Sequence, residues 1–358
     1  MSGNRPGHDD FPGGLIFHRI FTPIASVLLA AALAGCGGSS GGGGNQASLE
    51  GAGSSLVDPM VQAWIPELRD RSDLDVTYSA IGSGGGIQAI TTRTVDFGAS
   101  DAPLSPDQAD ACKGCLLVPW ALSATTLAYN LPDVGPGLKL TGPVIADIFL
   151  GKLTNWSDPR ITNLNPGTNL PSLSISPIYR SDGSGDTYTF TSYLSEVSPA
   201  WKEQVGTGTT VNFPEGTGSK GNSGVAGTLS RTPGAIGYIS VAYAVQNKLG
   251  VASVQNAAGN FVAPDLDGIE AAAEAMGKPE PDNSIPIVDP PASAKEAYPI
   301  STFTYAIVPK DAPKASDLKE LLEYAIGPGQ EFAEQYVFAR LPDRVVVLAK
   351  KTIDSIGA

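Results

Sequence analysis

Three times along this chain a strand-like stretch runs into a glycine- and serine-rich turn and then into residues at helical spacing. The last of these junctions is Arg180-Ser181-Asp182-Gly183-Ser184-Gly185-Asp186-Thr187. It follows a strand pattern over Ile175 to Arg180 and precedes Phe190, Tyr193 and Leu194 on one helical face. The first is Leu49-Glu50-Gly51-Ala52-Gly53-Ser54-Ser55-Leu56, followed by Met60, Ala63 and Trp64 on one face. There Ser54 or Ser55 is expected to cap the helix. The second runs from Leu74-Asp75-Val76-Thr77-Tyr78 through Ile81-Gly82-Ser83-Gly84-Gly85-Gly86 into a helix expected to begin at Ile87. Each of these strands thus leads through its turn into a helix. Each unit also leaves the first helical N–H groups unpaired and aimed at the turn, where the positive end of the helix dipole favours an anion. Arg180 adds a fork of N–H donors, and the serines add hydroxyls. Taken singly, each junction reads as an ordinary capped turn; repetition favours the anion reading. The second is not a nucleotide loop, because it lacks a Gly-Lys-Ser/Thr ending and has Ile87 where a dinucleotide fingerprint needs glycine.

A further short strand, Val95 to Ala99, ends in Ser100-Asp101-Ala102-Pro103. Beside an anion site, Asp101 would accept a hydrogen bond from a proton carried by the ligand. From spacing alone it could equally cap a helix expected over Ser105 to Ala111.

With 42% hydrophobic and 16% charged residues, the 358-residue chain can bury a large core and is long enough for two domains. Its net charge of −13 argues against nucleic-acid binding through a basic face. An anion site on so acidic a chain must work through short-range hydrogen bonds and dipoles. Both histidines, His8 and His18, lie in the amino-terminal segment. The chain beyond it therefore lacks the base of a serine or cysteine triad and any histidine metal ligand. No metal or cofactor is expected.

The amino terminus reads as an export signal. His18 and Arg19 precede an apolar run from Ile20 to Ala34, about the length of a signal h-region, and Leu33-Ala34-Gly35-Cys36 follows. That tetrapeptide resembles a bacterial lipobox, which would make residues 1–35 the signal and Cys36 the lipidated first residue; the alternative is a plain secretory signal. Residues 36–47 form a Gly/Ser tether. In an exported protein the remaining pair, Cys112 and Cys115, reads as a local disulfide. A zinc site would lack two ligands, and a redox pair would open a helix after a strand.

Two β-rich runs, Leu116 to Asn130 and Tyr298 to Pro309, are expected to cross between two lobes. Between them a second glycine-rich loop, Gly216 to Gly224 with Lys220 and Asn222, leads into a helix from Val225. Ala235 to Ile239 reads as a buried strand and Gly268 to Met276 as a helix. Ser316 is expected to cap a helix that Gly327 stops, and residues 343–356 to form the last helix.

Taken together, the chain resembles the phosphate-binding lipoproteins of bacterial Pst-type ABC transporters over about residues 48–350. Gly51 to Ser55, Ile81 to Gly86, Val95 to Pro103 and Arg180 to Gly185 carry the likeness, with Asn155-Trp156 and Pro233 to Tyr238 as further matches. The resemblance implies the class II periplasmic-binding-protein fold: two α/β lobes, joined by two crossing strands, with a ligand cleft between them. Lobe 1 would comprise 48–125 plus 304–358, and lobe 2 126–303. It implies that one phosphate meets the hydroxyl of Ser55, the N–H of Leu56 and the hydroxyl of Ser83, with Asp101 accepting the phosphate proton and Arg180, Ser184 and Gly185 binding from lobe 2. Asp186 stands where many members have Thr or Ser, and is expected to pair with Arg180. The implied partners are inorganic phosphate, the transporter's permease subunits and, through Cys36, the extracytoplasmic face of the cell membrane; the protein is expected to be a monomer and not an enzyme. A phosphatase or phosphoryl-transfer enzyme using the same anion cradle, and a surface adhesin or antigen, are the rival readings.

Overall fold

The strand–turn–helix junctions dictate parallel strand pairs, and two such sets form. The computed structural model describes residues 47–358; the signal over 1–35, Cys36 and the tether up to Gln46 lie outside the described residues. Ser48–Gly53 pairs in parallel with Asp75–Ser79 on one side and Phe97–Ser100 on the other. Farther along, Ser176–Arg180 pairs in parallel with Thr217–Ser219 and Ala235–Ser240. Two long strands, Cys115–Tyr129 and Ser301–Pro309, run antiparallel between the sets. All belong to one mixed nine-stranded sheet. The longer strand changes partner midway: residues up to Ala124 face Ser301–Pro309, and Thr125 to Tyr129 face Ala235–Ser240. These two strands match the runs expected to cross. Among the described residues no helix is long and apolar enough to span a membrane.

Each parallel set is backed by aromatic side chains. Trp120 meets Trp64 edge-on at 5.2 Å and Phe97 at 5.9 Å. In the second set Phe190 stacks on Tyr238 at 4.4 Å and meets Phe149 at 4.9 Å. Such pairs contribute roughly 0.5–1.5 kcal/mol beyond burial. Here they fix the helix that starts at Gly185 onto the strand that carries Tyr238.

Several boundaries differ from the sequence reading, and glycine explains two of them. The second junction's helix is Ser83–Thr91, so Gly84, Gly85 and Gly86 form its first turn rather than a loop before Ile87. A Cβ at Gly86 would lie 2.5 Å from Gly53 Cα, 2.6 Å from the Ala52 oxygen and 2.9 Å from the Ala99 oxygen. Glycine is used there so that the helix can rest directly on the strand backbones. Likewise Gly221–Arg231 begins before the expected Val225. Neither Ser54 nor Ser55 caps Asp58–Ser72, whose N-cap is Val57 without a side-chain bond. Nor does Ser316 cap Ala315–Ile326, which starts after Lys314; Gly327 ends it as expected. Ser105, through a capping box with Gln108, caps Pro106–Cys112, which frees Asp101 from that role. Cys112 and Cys115 are disulfide-bonded.

Replacing Gly86 with Ala should therefore push the Ser83 helix off its strands. Denaturant unfolding should show a loss of about 1–3 kcal/mol or more. Gly98→Ala, whose nearest obstacles are the Gly86 oxygen and an Ile90 methyl at 3.0 Å, should cost less. Equal costs would contradict this view of the helix seat.

Candidate functional site

In a parallel set all strands end on the same side, and the crevice beyond the carboxyl ends is where open α/β sheets place ligands. The first set delivers Ser54 and Ser55 after Gly53, and Asp101 after Ser100. The second delivers Arg180 at a strand end, Asn222 after Ser219 and Ser240 at the end of its strand. These ends meet in one buried cradle, closed by the starts of Ser83–Thr91 and Gly185–Val197.

Two hydrogen-bond networks build it. One centres on Asp101, only 3% exposed. The Ser54 hydroxyl lies 2.6 and 2.7 Å from its two carboxylate oxygens, and the Thr304 hydroxyl donates to Oδ1 at 2.7 Å. The Ser83 hydroxyl lies 3.3 Å from Oδ2 and accepts from the Asp101 N–H at 3.2 Å and the Gly185 N–H at 3.1 Å. The Leu56 N–H donates to Ser54 Oγ at 3.0 Å.

The second network centres on Arg180, whose guanidinium is buried. Its Nε and Nη2 donate to the two oxygens of Asp182 at 2.8 and 2.5 Å, and Nη1 donates to Asp186 Oδ2 at 2.8 Å. Of five guanidinium N–H groups, one on each terminal nitrogen stays uncommitted among the described residues. Asp186 also accepts from the Thr125 hydroxyl and from Asn222 Nδ2, both at 2.8 Å. Asn222 Nδ2 lies 3.0 Å from Ser55 Oγ as well. Two chain links, Ser54-Ser55 and Gly185-Asp186, join the networks covalently. Beneath them, the Tyr238 hydroxyl accepts from the Arg180 N–H at 2.9 Å and pairs with the Thr187 hydroxyl at 2.8 Å. Ser184 is the N-cap of its helix and accepts from the Thr187 N–H at 3.3 Å.

Charge is arranged unevenly. Burial disfavours ionised Asp182, but the hydrogen bonds and charge of Arg180 outweigh it and hold the carboxyl below the usual range. Burial also opposes charge on Arg180, and Asp182 with Asp186 more than restores it. Asp101 behaves differently. Burial, reinforced by the charge of Asp186, pushes it up to about 7, against the opposing hydrogen bonds of Ser54 and Thr304 and the charge of Arg180. Near neutral pH the cradle thus combines a permanent cation, clamped by two carboxylates, with a third carboxyl poised between acceptor and donor. Backbone N–H groups at two helix starts and several hydroxyls complete a site for a small oxyanion that can carry a proton.

All eight residues assigned from the resemblance lie in or against this cradle: Ser55, Leu56, Ser83, Asp101, Arg180, Ser184, Gly185 and Asp186. The expected pairing of Asp186 with Arg180 is present. Other participants escaped the sequence reading. Ser54 looked like a helix cap, Thr304 sat unmarked in a crossing strand, and Asn222 was only part of a glycine-rich loop. Lys220, beside it, is exposed at the surface. A neighbouring cavity of about 600 Å³ shares Asp101 but adds Glu196, Glu280 and Asp289 without any lysine or arginine. It is unsuited to an anion.

Comparison with known proteins places the chain among close relatives. The PBP superfamily domain matches residues 38–328. The chain is 40% identical to "Phosphate-binding protein PstS" of Xylella fastidiosa over 304 residues, covering 83% of this chain and 82% of that one. It is 32% identical to the protein of the same name from Methanocaldococcus jannaschii, covering 90% and 92%. A solved structure, "Phosphate-Binding Protein from Stenotrophomonas maltophilia", shares its fold with a TM-score of 0.67 at 18% identity, over 85% of this chain and 93% of that one.

The elevated Asp101 carboxyl has a measurable consequence. It titrates near 3.8 when unfolded and near 7 when folded, so between these values the folded protein holds a proton that the unfolded chain lacks. Stability from this group is therefore lost as pH rises through that window, by about 1.4 kcal/mol per unit. Asp101→Asn cannot titrate. In urea unfolding of phosphate-free protein the variant should gain roughly 1–4 kcal/mol on the wild type between pH 5 and pH 8. Parallel pH profiles would show that Asp101 stays ionised in the fold.

Proposed function

This chain belongs to the PstS phosphate-binding proteins of the PBP superfamily, and we propose that it is the extracytoplasmic receptor that captures inorganic phosphate for an ABC transporter. The observation that carries the reading is the meeting of Asp101 and Arg180, delivered by opposite parallel sets into one buried cradle. Phosphate suits both: near neutral pH it is an anion that still carries a proton.

In this reading Arg180 gives its uncommitted N–H groups to phosphate oxygens, and Ser55, Ser83 and Ser184 give hydroxyls. Leu56 and Gly185 give backbone N–H groups, exchanging their serine partners for the ligand. Asp101 accepts the phosphate proton. Asp186, held by Arg180, Thr125 and Asn222, does not face the ligand as an unpaired group. Residues 48–125 with 304–358 form one lobe and 126–303 the other, hinged about the two long strands, and the cleft closes over the anion. The receptor binds as a monomer without turnover. Its export, its anchoring to the membrane through Cys36 and its docking on permease subunits complete the proposal.

Selectivity follows from protons. Sulfate carries none, so above about pH 7, where Asp101 is mostly ionised, it would set lone pairs against that carboxylate. A charged group left unsatisfied costs about 1–3 kcal/mol or more, and each 1.4 kcal/mol is tenfold in affinity.

Titration calorimetry of residues 47–358 at about pH 8 to 9, one to two pH units above the Asp101 value, should show one phosphate per chain. Sulfate should bind at least about 10–100-fold more weakly. Equal binding of both anions would remove the proton-acceptor role, and binding of neither would remove the receptor. Asp186→Thr should flatten the dependence of phosphate affinity on pH, because it removes a carboxylate that biases the site toward protonated ligand. An unchanged profile would remove Asp186 from the selection.

A further inference from the structure

Asn222 is the second residue of the Gly221–Arg231 helix, and its side chain is fully buried. Every polar atom of its amide is engaged. Nδ2 donates to Ser55 Oγ at 3.0 Å and to Asp186 Oδ2 at 2.8 Å, while Oδ1 accepts from the Ser240 N–H at 2.9 Å. The surroundings admit one orientation. A flipped amide would set Oδ1 against the Asp186 carboxylate and Nδ2 against an N–H donor.

The consequence falls on Ser55. Its Oγ accepts from Nδ2 and also from the Asn222 backbone N–H at 3.3 Å. A hydroxyl has two acceptor lone pairs and one proton. With both acceptor positions filled, Ser55 has only its proton left to offer. In a site lined by three carboxylates, that removes the choice between accepting and donating.

We propose that Asn222 is a positioning residue that commits the Ser55 hydroxyl to donating into the cradle and couples that commitment to closure of the cleft. Ser55 follows the Ser48–Gly53 strand of the first parallel set, whereas Asn222 and Asp186 lie in helices that follow strands of the second. The amide can hold both only when the two sets come together, so opening the cleft breaks the Ser55 bonds before phosphate leaves. Asn222 therefore slows dissociation more than it speeds capture. The proposal rests on the phosphate-receptor reading above.

A double-mutant cycle in phosphate binding tests it, with Asn222→Ala, Ser55→Ala and both together, following rates by stopped flow and affinity by calorimetry. Asn222→Ala should weaken binding about tenfold, mostly through faster dissociation. In the Ser55→Ala background the same change should cost no more than about two- to threefold, because it then has little left to position. Isosteric Asn222→Asp, which sets a carboxylate oxygen against Asp186, should bind more weakly than the alanine variant. If alanine impairs folding, as melting would reveal, Asn222→Ser enters the cycle in its place. Losses that multiply in full, or an Asn222 variant that binds and releases phosphate like the wild type, would overturn the proposal while leaving the receptor intact. A wild type that binds no phosphate would overturn both.

Discussion

The buried guanidinium of Arg180 is the interaction on which the site depends. A cation removed from water survives only if its charge is matched, and here Asp182 grips two of its nitrogens while Asp186 takes the third. Breaking such a pair by deleting one partner typically costs about 3–5 kcal/mol. The clamp has a geometric effect as well: it fixes the plane of the fork and leaves donors on the two terminal nitrogens alone. Much nearby packing serves that orientation, including Tyr238 under the Arg180 backbone and Phe190 stacked on Tyr238.

Long-range attraction cannot draw an anion to a chain with a net charge of −13. The fold compensates at short range. Parallel strands put their carboxyl ends on one side, and the helices that follow bring unpaired N–H groups to that side. Two sets facing one another across a pair of long strands double the supply. The cradle is then a place where donors are abundant, water is excluded and one carboxyl, Asp101, sits near its titration point. In the proposed reading, short-range donors supply affinity, and that carboxyl makes the presence of a proton on the ligand matter.

Much of this was legible in the sequence, because it is written in local patterns. Strand–turn–helix junctions announced the parallel sets, and Arg180 to Gly185 announced the cradle. What stayed hidden has identifiable causes. Ser83–Thr91 and Gly221–Arg231 have glycine-rich first turns, which propensity counts against helix; in Ser83–Thr91 the close contact of Gly86 with the strand backbones overrides it. Ser54 fitted an N-cap pattern, but Asp101, distant in the chain, claimed its hydroxyl. Thr304 and Asn222 become site residues only through register and long-range pairing: Thr304 lies on a strand antiparallel to the Phe97–Ser100 strand that ends before Asp101, and Asn222 reaches Ser55 across 167 positions. Local pattern holds no trace of either.

The most direct measurement is a crystal structure of residues 47–358 grown with phosphate at neutral pH. The account predicts one phosphate whose oxygens lie within about 3 Å of Arg180, Ser55, Ser83, Ser184 and the N–H groups of Leu56 and Gly185. One oxygen should form a short bond of roughly 2.5–2.7 Å to Asp101. Phosphate bound elsewhere, or in the cradle with Asp101 turned away from it, would contradict the account.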